Sequence, residues 1–120
     1  MPTRIRLDGN YAVEQSSYLI EAAFFDEDDQ EVIPNSAKWS LTDTLGNVIN
    51  SREDVVLTPA ASVFIVLTGD DLALSTGFTG FSELRVLLIE AIYNSSHAAG
   101  LYLKDQLVFP VVNLAKIDTE

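Results

Sequence analysis

The sequence contains no cysteine, which excludes a disulfide framework and every metal site built from thiolates. It contains one histidine and only 7 lysine and arginine residues, against 18 aspartate and glutamate residues. The formal charge of −11 repels phosphate backbones, so nucleic acid is not expected as a partner. No apolar run is long enough to cross a bilayer or to form the core of a signal peptide, so we expect synthesis in the cytoplasm and no membrane contact.

Helix signals are also scarce, whereas material for a core is plentiful. The chain has 120 residues, of which 48% are hydrophobic, enough for one domain with its own core. Apolar residues recur at every second position in about seven segments bounded by Gly, Pro, Asn, Asp and Ser, which is typical of β-strands. The pattern predicts an all-β fold, an antiparallel sandwich of two sheets.

Two segments show the alternation most clearly. In residues 37–43 (AKWSLTD), Trp39 and Leu41 share one face, which we expect to be buried. Residues 62–69 (SVFIVLTG) are apolar on both faces, so Phe64 and Val66 are candidate partner-binding residues. The predicted core contains Trp39, Leu41, Ile65, Leu67, Val86 and Leu88.

Turn residues predict two local structures. Gly46 and Asn47 can take positive φ, so residues 44–47 (TLGN) predict a hairpin whose return strand is residues 48–53 (VINSRE). Further along, residues 69–81 predict a loop with one helical turn, capped at its start by Asp70 or Asp71.

A dense group of carboxylates follows the second predicted strand: Asp26, Glu27, Asp28 and Asp29. Hard cations bind several carboxylate oxygens, so this cluster is a candidate metal site. An EF-hand loop is excluded, because counting from Asp26 puts Glu31 at the sixth position, where glycine is required, and Ala37 at the twelfth, where glutamate is required. A solvated hairpin tip is the favoured interpretation, with no metal and no cofactor.

No enzyme motif is present. His97 lies in a polar loop (NSSHAAG) with Ser95 and Ser96, but neighbours in sequence rarely have triad geometry and no G-x-S-x-G elbow occurs. We therefore expect His97 to be a surface loop residue and the chain not to be an enzyme. Glu90, on a strand face shared with Leu88, needs a cross-strand lysine or arginine as partner.

Residues 76–81 (TGFTGF) place two aromatic side chains on a loop rich in glycine. Phe78 and Phe81 either cover the end of the sandwich or act as anchors for a neighbouring subunit. Both alternatives are open at this point.

The order of YLIEAAFFDED, Pro34, WSLTD with GNVIN, VLTGDDLAL, AIYNS and VFPVVNL resembles small immunoglobulin-like proteins and domains encoded among the virion genes of tailed bacteriophages. The resemblance implies an N-terminal arm with a possible first strand (1–17), an immunoglobulin-like sandwich (18–114) and a short tail (115–120). It also implies a glycine in the acidic turn where this chain has Asp29, a residue that tolerates left-handed φ.

The function implied is that of a non-enzymatic structural component of the virion, in the head, neck or tail. Its partners would be other virion proteins, in a homo- or hetero-oligomeric assembly. The alternative is a carbohydrate-binding or adhesion module on the same scaffold, which needs several exposed aromatic side chains on a flat face.

Overall fold

The computed structural model describes residues 4–8 and 11–114, and within this part of the chain it contains strands and no α-helix. The all-β prediction is confirmed. None of the described segments is a helix long and apolar enough to cross a membrane. The elements are β1 (Arg4–Asp8), β2 (Ala12–Val13), β3 (Ser17–Phe25), β4 (Ser36–Thr42), β5 (Val55–Leu57), β6 (Ser62–Thr68), a 3-10 helix (Gly69–Leu72), β7 (Ser82–Tyr93) and β8 (Leu101–Val112).

The strands form two sheets. One has three strands in the order β1-β3-β6, and the other has five in the order β2-β8-β7-β4-β5. All neighbours are antiparallel except β2 and β8, which run parallel, so the prediction of a purely antiparallel fold is wrong at this pair. The cause is that β1 belongs to the three-stranded sheet and β2 to the five-stranded sheet. In the five-stranded sheet, β2 lies beside β8 and runs in the same direction.

One hydrophobic core joins the two sheets, which gives the fold its sandwich-like character. Strand β3 shows the alternation: Tyr18, Ile20, Ala22 and Phe24 are buried, while Leu19 on the opposite face is exposed. The predicted core residues of β4 and β6 are confirmed as buried: Trp39, Leu41, Ile65 and Leu67.

Strand β7 has the opposite orientation to the predicted one. Leu87 and Ile89 are fully buried, whereas Val86 and Leu88 are only half-buried on the outer face. The period-two pattern could not decide this, because β7 is apolar on both faces. The buried face also carries Arg85, which the prediction left outside.

Burial of Arg85 is compensated by hydrogen bonds to its guanidinium group. Nη2 donates to Glu83 Oε1 at 2.7 Å and to the Ala73 carbonyl at 3.3 Å, and Nη1 donates to the Leu84 carbonyl at 2.9 Å. A buried charge is tolerated where it is paired and hydrogen-bonded in this way. Glu90 also has the expected cross-strand partner, since its Oε2 lies 3.7 Å from Lys104 Nζ.

The predicted return strand at residues 48–53 is wrong. These residues form one β-bridge, between Thr42 and Val48, and two further hydrogen bonds to Leu41 but no strand, and the strand that pairs with β4 on this side is β5. Asn50, Ser51 and Asp54 have φ values of 52°, 58° and 51°. Left-handed residues cannot continue an extended strand, so the chain loops before pairing resumes at β5.

The 3-10 helix begins after Thr68, so the predicted N-caps Asp70 and Asp71 are wrong. Asp71 is instead fully buried and accepts four hydrogen bonds. They come from Arg52 Nε at 2.7 Å and Nη2 at 3.2 Å, Asn50 Nδ2 at 2.8 Å and the Thr68 amide at 3.1 Å. The Arg52 guanidinium also lies 5.8 Å from the centre of the Trp39 ring. Through Arg52, the Asp71 carboxylate therefore links the loop before β5 to the core.

Two substitutions in β7 test its orientation. Leu87→Ala should lower the free energy of unfolding by about 2–5 kcal/mol, because it leaves a cavity in the core. Leu88→Ala, one position along on the outer face, should cost about 1 kcal/mol, since only half of that side chain is removed from water. Urea denaturation measures both, and a larger cost for Leu88→Ala would contradict the orientation described here.

A second prediction concerns the pH dependence of stability. Burial raises the pKa of Asp71, but the hydrogen bonds from Arg52, Asn50 and the Thr68 amide outweigh burial, so the pKa lies below its ordinary value of 3.8. The charged form therefore stabilises the folded state above pH 3.8, and this contribution is lost as the pH falls through the folded pKa.

The matched variant is Asp71→Asn, which keeps the shape and removes the charge. It should lower stability by about 1–3 kcal/mol at neutral pH, the usual effect of losing hydrogen bonds to a charged group. Its unfolding free energy should also fall less steeply than that of the wild type between about pH 5 and pH 2. Parallel curves for the two proteins would show that Asp71 is not the source of this dependence.

Candidate functional site

The acidic residues form a tight turn at the end of β3, as the sequence predicts. Asp26 Oδ1 accepts hydrogen bonds from the amides of Asp28 at 2.9 Å and Gln30 at 3.0 Å. Asp29 has a φ of 62°, the left-handed conformation expected at this position. Asp26 therefore has a structural role, because its side chain replaces the backbone partners that the turn leaves without bonds.

Glu27 leaves the turn and contacts the end of β7. The hydroxyl of the fully buried Tyr93 donates a hydrogen bond of 2.6 Å to Glu27 Oε2. Burial and this carboxylate raise the pKa of Tyr93 to about 12. The same hydrogen bond is the main reason why the pKa of Glu27 lies below its ordinary value. The turn is thus fixed to the core of the sandwich by one side chain.

His97 lies on the β7–β8 loop directly beside the acidic turn. Its Nε2 is 3.6 Å from Glu27 Oε1 and 3.9 Å from Asp28 Oδ2. As predicted, His97 is on the surface, but its two acidic neighbours could not be predicted from the sequence. The ends of β3 and β7 meet at this end of the molecule, and only the folded chain shows which loop residues come together.

The loop that carries His97 is closed by its own hydrogen bonds. Ser95 Oγ accepts from the His97 amide at 3.0 Å, the Ser95 amide donates to the Ala98 carbonyl at 2.9 Å, and Asn94 Oδ1 accepts from the Gly100 amide at 2.9 Å. The Ser95 side chain therefore holds the loop backbone, and it also helps to lower the pKa of Glu27.

The predicted partner-binding residues of β6 are exposed on the outside of the three-stranded sheet. Phe64 and Val66 are 58% and 54% exposed, and Leu19, which pairs with Val66 across β3 and β6, is 54% exposed. We call these three side chains the β6 patch. They lie beside an open edge, since β6 is the last strand of its sheet.

The two loop phenylalanines have different environments. Phe81 is 91% exposed just before β7 and is available for contact. Phe78 is half-buried, and its ring covers Gly80 so closely that an added Cβ there would be 2.8 Å from Cζ. Phe78 thus lies against its own loop and Phe81 is open to a partner, so the choice between a cover and an anchor stays a prediction.

The sequence did not single out a second exposed surface, on the outside of the five-stranded sheet. Tyr102 and Val56 are largely exposed there and line a shallow groove with Lys38 and Glu90. Leu84 and Val108 are also nearly half exposed on this sheet. The signal was present in the sequence, because β7 and β8 carry apolar residues at both parities, but their orientation was needed to interpret it.

Comparison of the chain with protein-family models, with curated proteins and with solved structures finds no match in any of the three. The resemblance to immunoglobulin-like virion proteins therefore stays a prediction.

A pair of substitutions separates the structural acid from the others. Asp26→Ala should lower the free energy of unfolding by about 1 kcal/mol, because two amides of the turn lose their acceptor. Asp26→Asn should stay within about 0.5 kcal/mol of the wild type, since its amide oxygen can accept the same bonds. Thermal unfolding measures the difference, and equal losses in the two variants would mean that the charge, not the hydrogen bonding, holds the turn.

Proposed function

We propose that the chain is an immunoglobulin-like structural subunit of a tailed-phage particle, which binds other virion proteins and catalyses no reaction. The β6 patch is the observation that carries the contact part of the proposal. The virion part rests on the order of sequence motifs described above.

The order of the strands supports the immunoglobulin-like assignment. An immunoglobulin domain has strands A, B, E and D in one sheet and G, F and C in the other, and variable-type domains add C′ beside C. The sheets β1-β3-β6 and β8-β7-β4-β5 follow these orders when β3 is taken as B, β4 as C and β7 as F, with no strand in the place of D among the described residues. Trp39 adds support, because it is buried on β4, where such domains have a core tryptophan.

The chain departs from antibody domains in how the two sheets are joined. The disulfide between strands B and F cannot form, because the sequence has no cysteine. Ile20 on β3 and Leu87 on β7 are both fully buried in the shared core, so apolar packing holds these strands together. Such a domain does not depend on an oxidising compartment for its stability.

Docking through the β6 patch follows from its composition and its place in the sheet. Three large apolar side chains on adjacent strands, each more than half exposed, make a contiguous apolar surface, which is a feature of interaction sites. The open edge of β6 offers backbone groups next to this surface, so a partner can use both. Phe81 provides a further aromatic anchor at one end of the sandwich.

Charge favours a particular kind of partner. The formal charge of −11 keeps unassembled copies apart and soluble. It also speeds encounter with a partner whose contact surface is basic. A hetero-oligomeric contact with a basic virion protein fits these properties better than a contact between two copies of this acidic chain.

The carbohydrate-binding alternative has less support. It requires several exposed aromatic rings on one flat face, and Trp39 is buried. On the outer face of the five-stranded sheet, Tyr102 is the one aromatic side chain among the residues that the structure describes. A single ring next to Lys38 and Glu90 is a small part of such a site.

Two matched substitutions on edge strands test the proposal. Val66→Asp puts a charge into the β6 patch, and Val56→Asp makes the same change on the exposed edge strand of the other sheet. Both variants should fold, since both side chains point to solvent. We expect Val66→Asp to reduce incorporation into purified particles roughly tenfold or more, and Val56→Asp to leave it near the wild-type level.

Quantitative mass spectrometry of the particles measures incorporation, and the melting temperature of each free protein shows that it is folded. Normal incorporation of a folded Val66→Asp variant would exclude the β6 patch as the contact. Absence of the wild-type chain from purified particles would contradict the structural role itself.

A further inference from the structure

We propose that Glu27, Asp28 and His97 bind one divalent transition-metal ion, for which zinc has the best-matched chemistry. The three residues come from two loops at one end of the sandwich, and each directs one donor atom to the same place. Their donor atoms all lie within 4.8 Å of one another. This site is separate from the β6 patch and does not depend on the proposed role in the virion.

The two donor distances that involve His97 are close to those that a bound ion requires, and all three donor atoms lie within 4.8 Å of one another. A tetrahedral zinc ion with bonds of about 2.0–2.1 Å to nitrogen and oxygen holds its donors about 3.4 Å apart. His97 Nε2 lies 3.6 Å from Glu27 Oε1 and 3.9 Å from Asp28 Oδ2, a few tenths of an ångström more. His97 and Asp28 are both exposed, so small side-chain rotations can close the remaining gap.

Glu27 is prepared for this role by its two oxygen atoms. Oε2 accepts the 2.6 Å hydrogen bond from Tyr93, which fixes the orientation of the carboxylate. Oε1, the atom that faces His97, is buried and accepts no well-formed hydrogen bond among the described residues, although the nearby Ser95 side chain helps to lower the pKa of this carboxylate. A buried carboxylate oxygen that lacks a strong partner is costly, and a metal ion would satisfy it. Tyr93 would then be the outer-shell residue that orients a ligand, a common arrangement around metal ions.

Among the side chains that the structure describes, none apart from His97 compensates the charge of the cluster. Each described lysine or arginine side chain forms an ion pair with another acid, in the pairs Lys38–Asp54, Arg52–Asp71, Arg85–Glu83 and Lys104–Glu90. Among the side chains that the structure describes, His97 is thus the one basic group at Glu27 and Asp28. Two carboxylates beside one imidazole make a site with net negative charge, which favours a divalent cation.

The donor set discriminates between metals. Imidazole nitrogen with carboxylate oxygen suits zinc and its neighbours in the first transition row. Calcium requires six to eight oxygen ligands, and here the nearby Asp26 is already used by the turn amides. Three protein donors leave one tetrahedral position for water.

The competing explanation needs no metal: a protonated His97 can pair with both carboxylates at the same distances. A titration with metal salts separates the two, because only the metal site gives saturable binding at a pH where the imidazole is neutral. His97 is the single histidine of the chain, so its ring protons are an unambiguous NMR probe once any affinity tag has been removed.

The experiment titrates the full chain at about pH 7.5, where free imidazole is mostly neutral, with zinc chloride, and separately with calcium and magnesium chloride. Calorimetry gives the stoichiometry and NMR follows His97. The variants are His97→Gln and Asp28→Asn, and the control is Glu53→Gln, which removes one negative charge from an exposed acid outside the cluster.

We expect one zinc ion per chain, a shift of the His97 ring signals that saturates at that ratio, and no such shift with calcium or magnesium. His97→Gln and Asp28→Asn should each weaken zinc binding roughly tenfold or more, and Glu53→Gln should leave it unchanged. Absence of saturable zinc binding would overturn the proposal in favour of the ion pair. Zinc binding that survives in His97→Gln would also overturn it, since the ion would then lie elsewhere.

Discussion

A strand has two faces, and a single core between two sheets can bury only one of them. Most of this structure follows from how the sequence meets that constraint. In β6, Ile65 and Leu67 enter the core, so Phe64 and Val66 must face outward although they are equally apolar. In β7 the same competition is decided in favour of Leu87 and Ile89. The chain therefore stabilises its fold with one set of apolar side chains and leaves a second set on the surface, which is the physical basis of the role in assembly that we propose.

The buried face of a strand could be predicted from the sequence where only one of its two faces is apolar. Strand β4 is of this kind, and the inward positions of Trp39 and Leu41 agree with the prediction. The prediction failed in β7, where both faces are apolar. There the buried face also carries Arg85, whose guanidinium is paired with Glu83. The prediction also failed after Thr42, because three left-handed residues delay the return strand. Parallel pairing of β2 with β8 has no local signal, since it depends on which sheet each strand joins.

The candidate sites show the same division between local and long-range information. The sequence predicted the acidic hairpin tip, and Asp26 closes it through the amides of Asp28 and Gln30, which are near in sequence. Glu27 contacts Tyr93 and His97, which are distant in sequence and come close only because β3 and β7 end at the same side of the molecule. Glycine-spaced Phe78 and Phe81 looked equivalent in sequence, and only the path of the loop distinguishes the half-buried ring from the exposed one.

We propose that this chain is an acidic domain whose exposed apolar surface is covered by a partner. An electron cryomicroscopy map of the intact particle, at a resolution that shows side chains, tests this claim most directly. We expect the map to contain density for this chain. In that density, Leu19, Phe64 and Val66 should be covered by another virion protein that has basic residues around the contact. A map in which the chain is present but these three side chains face bulk solvent, or in which the chain is absent, would contradict it.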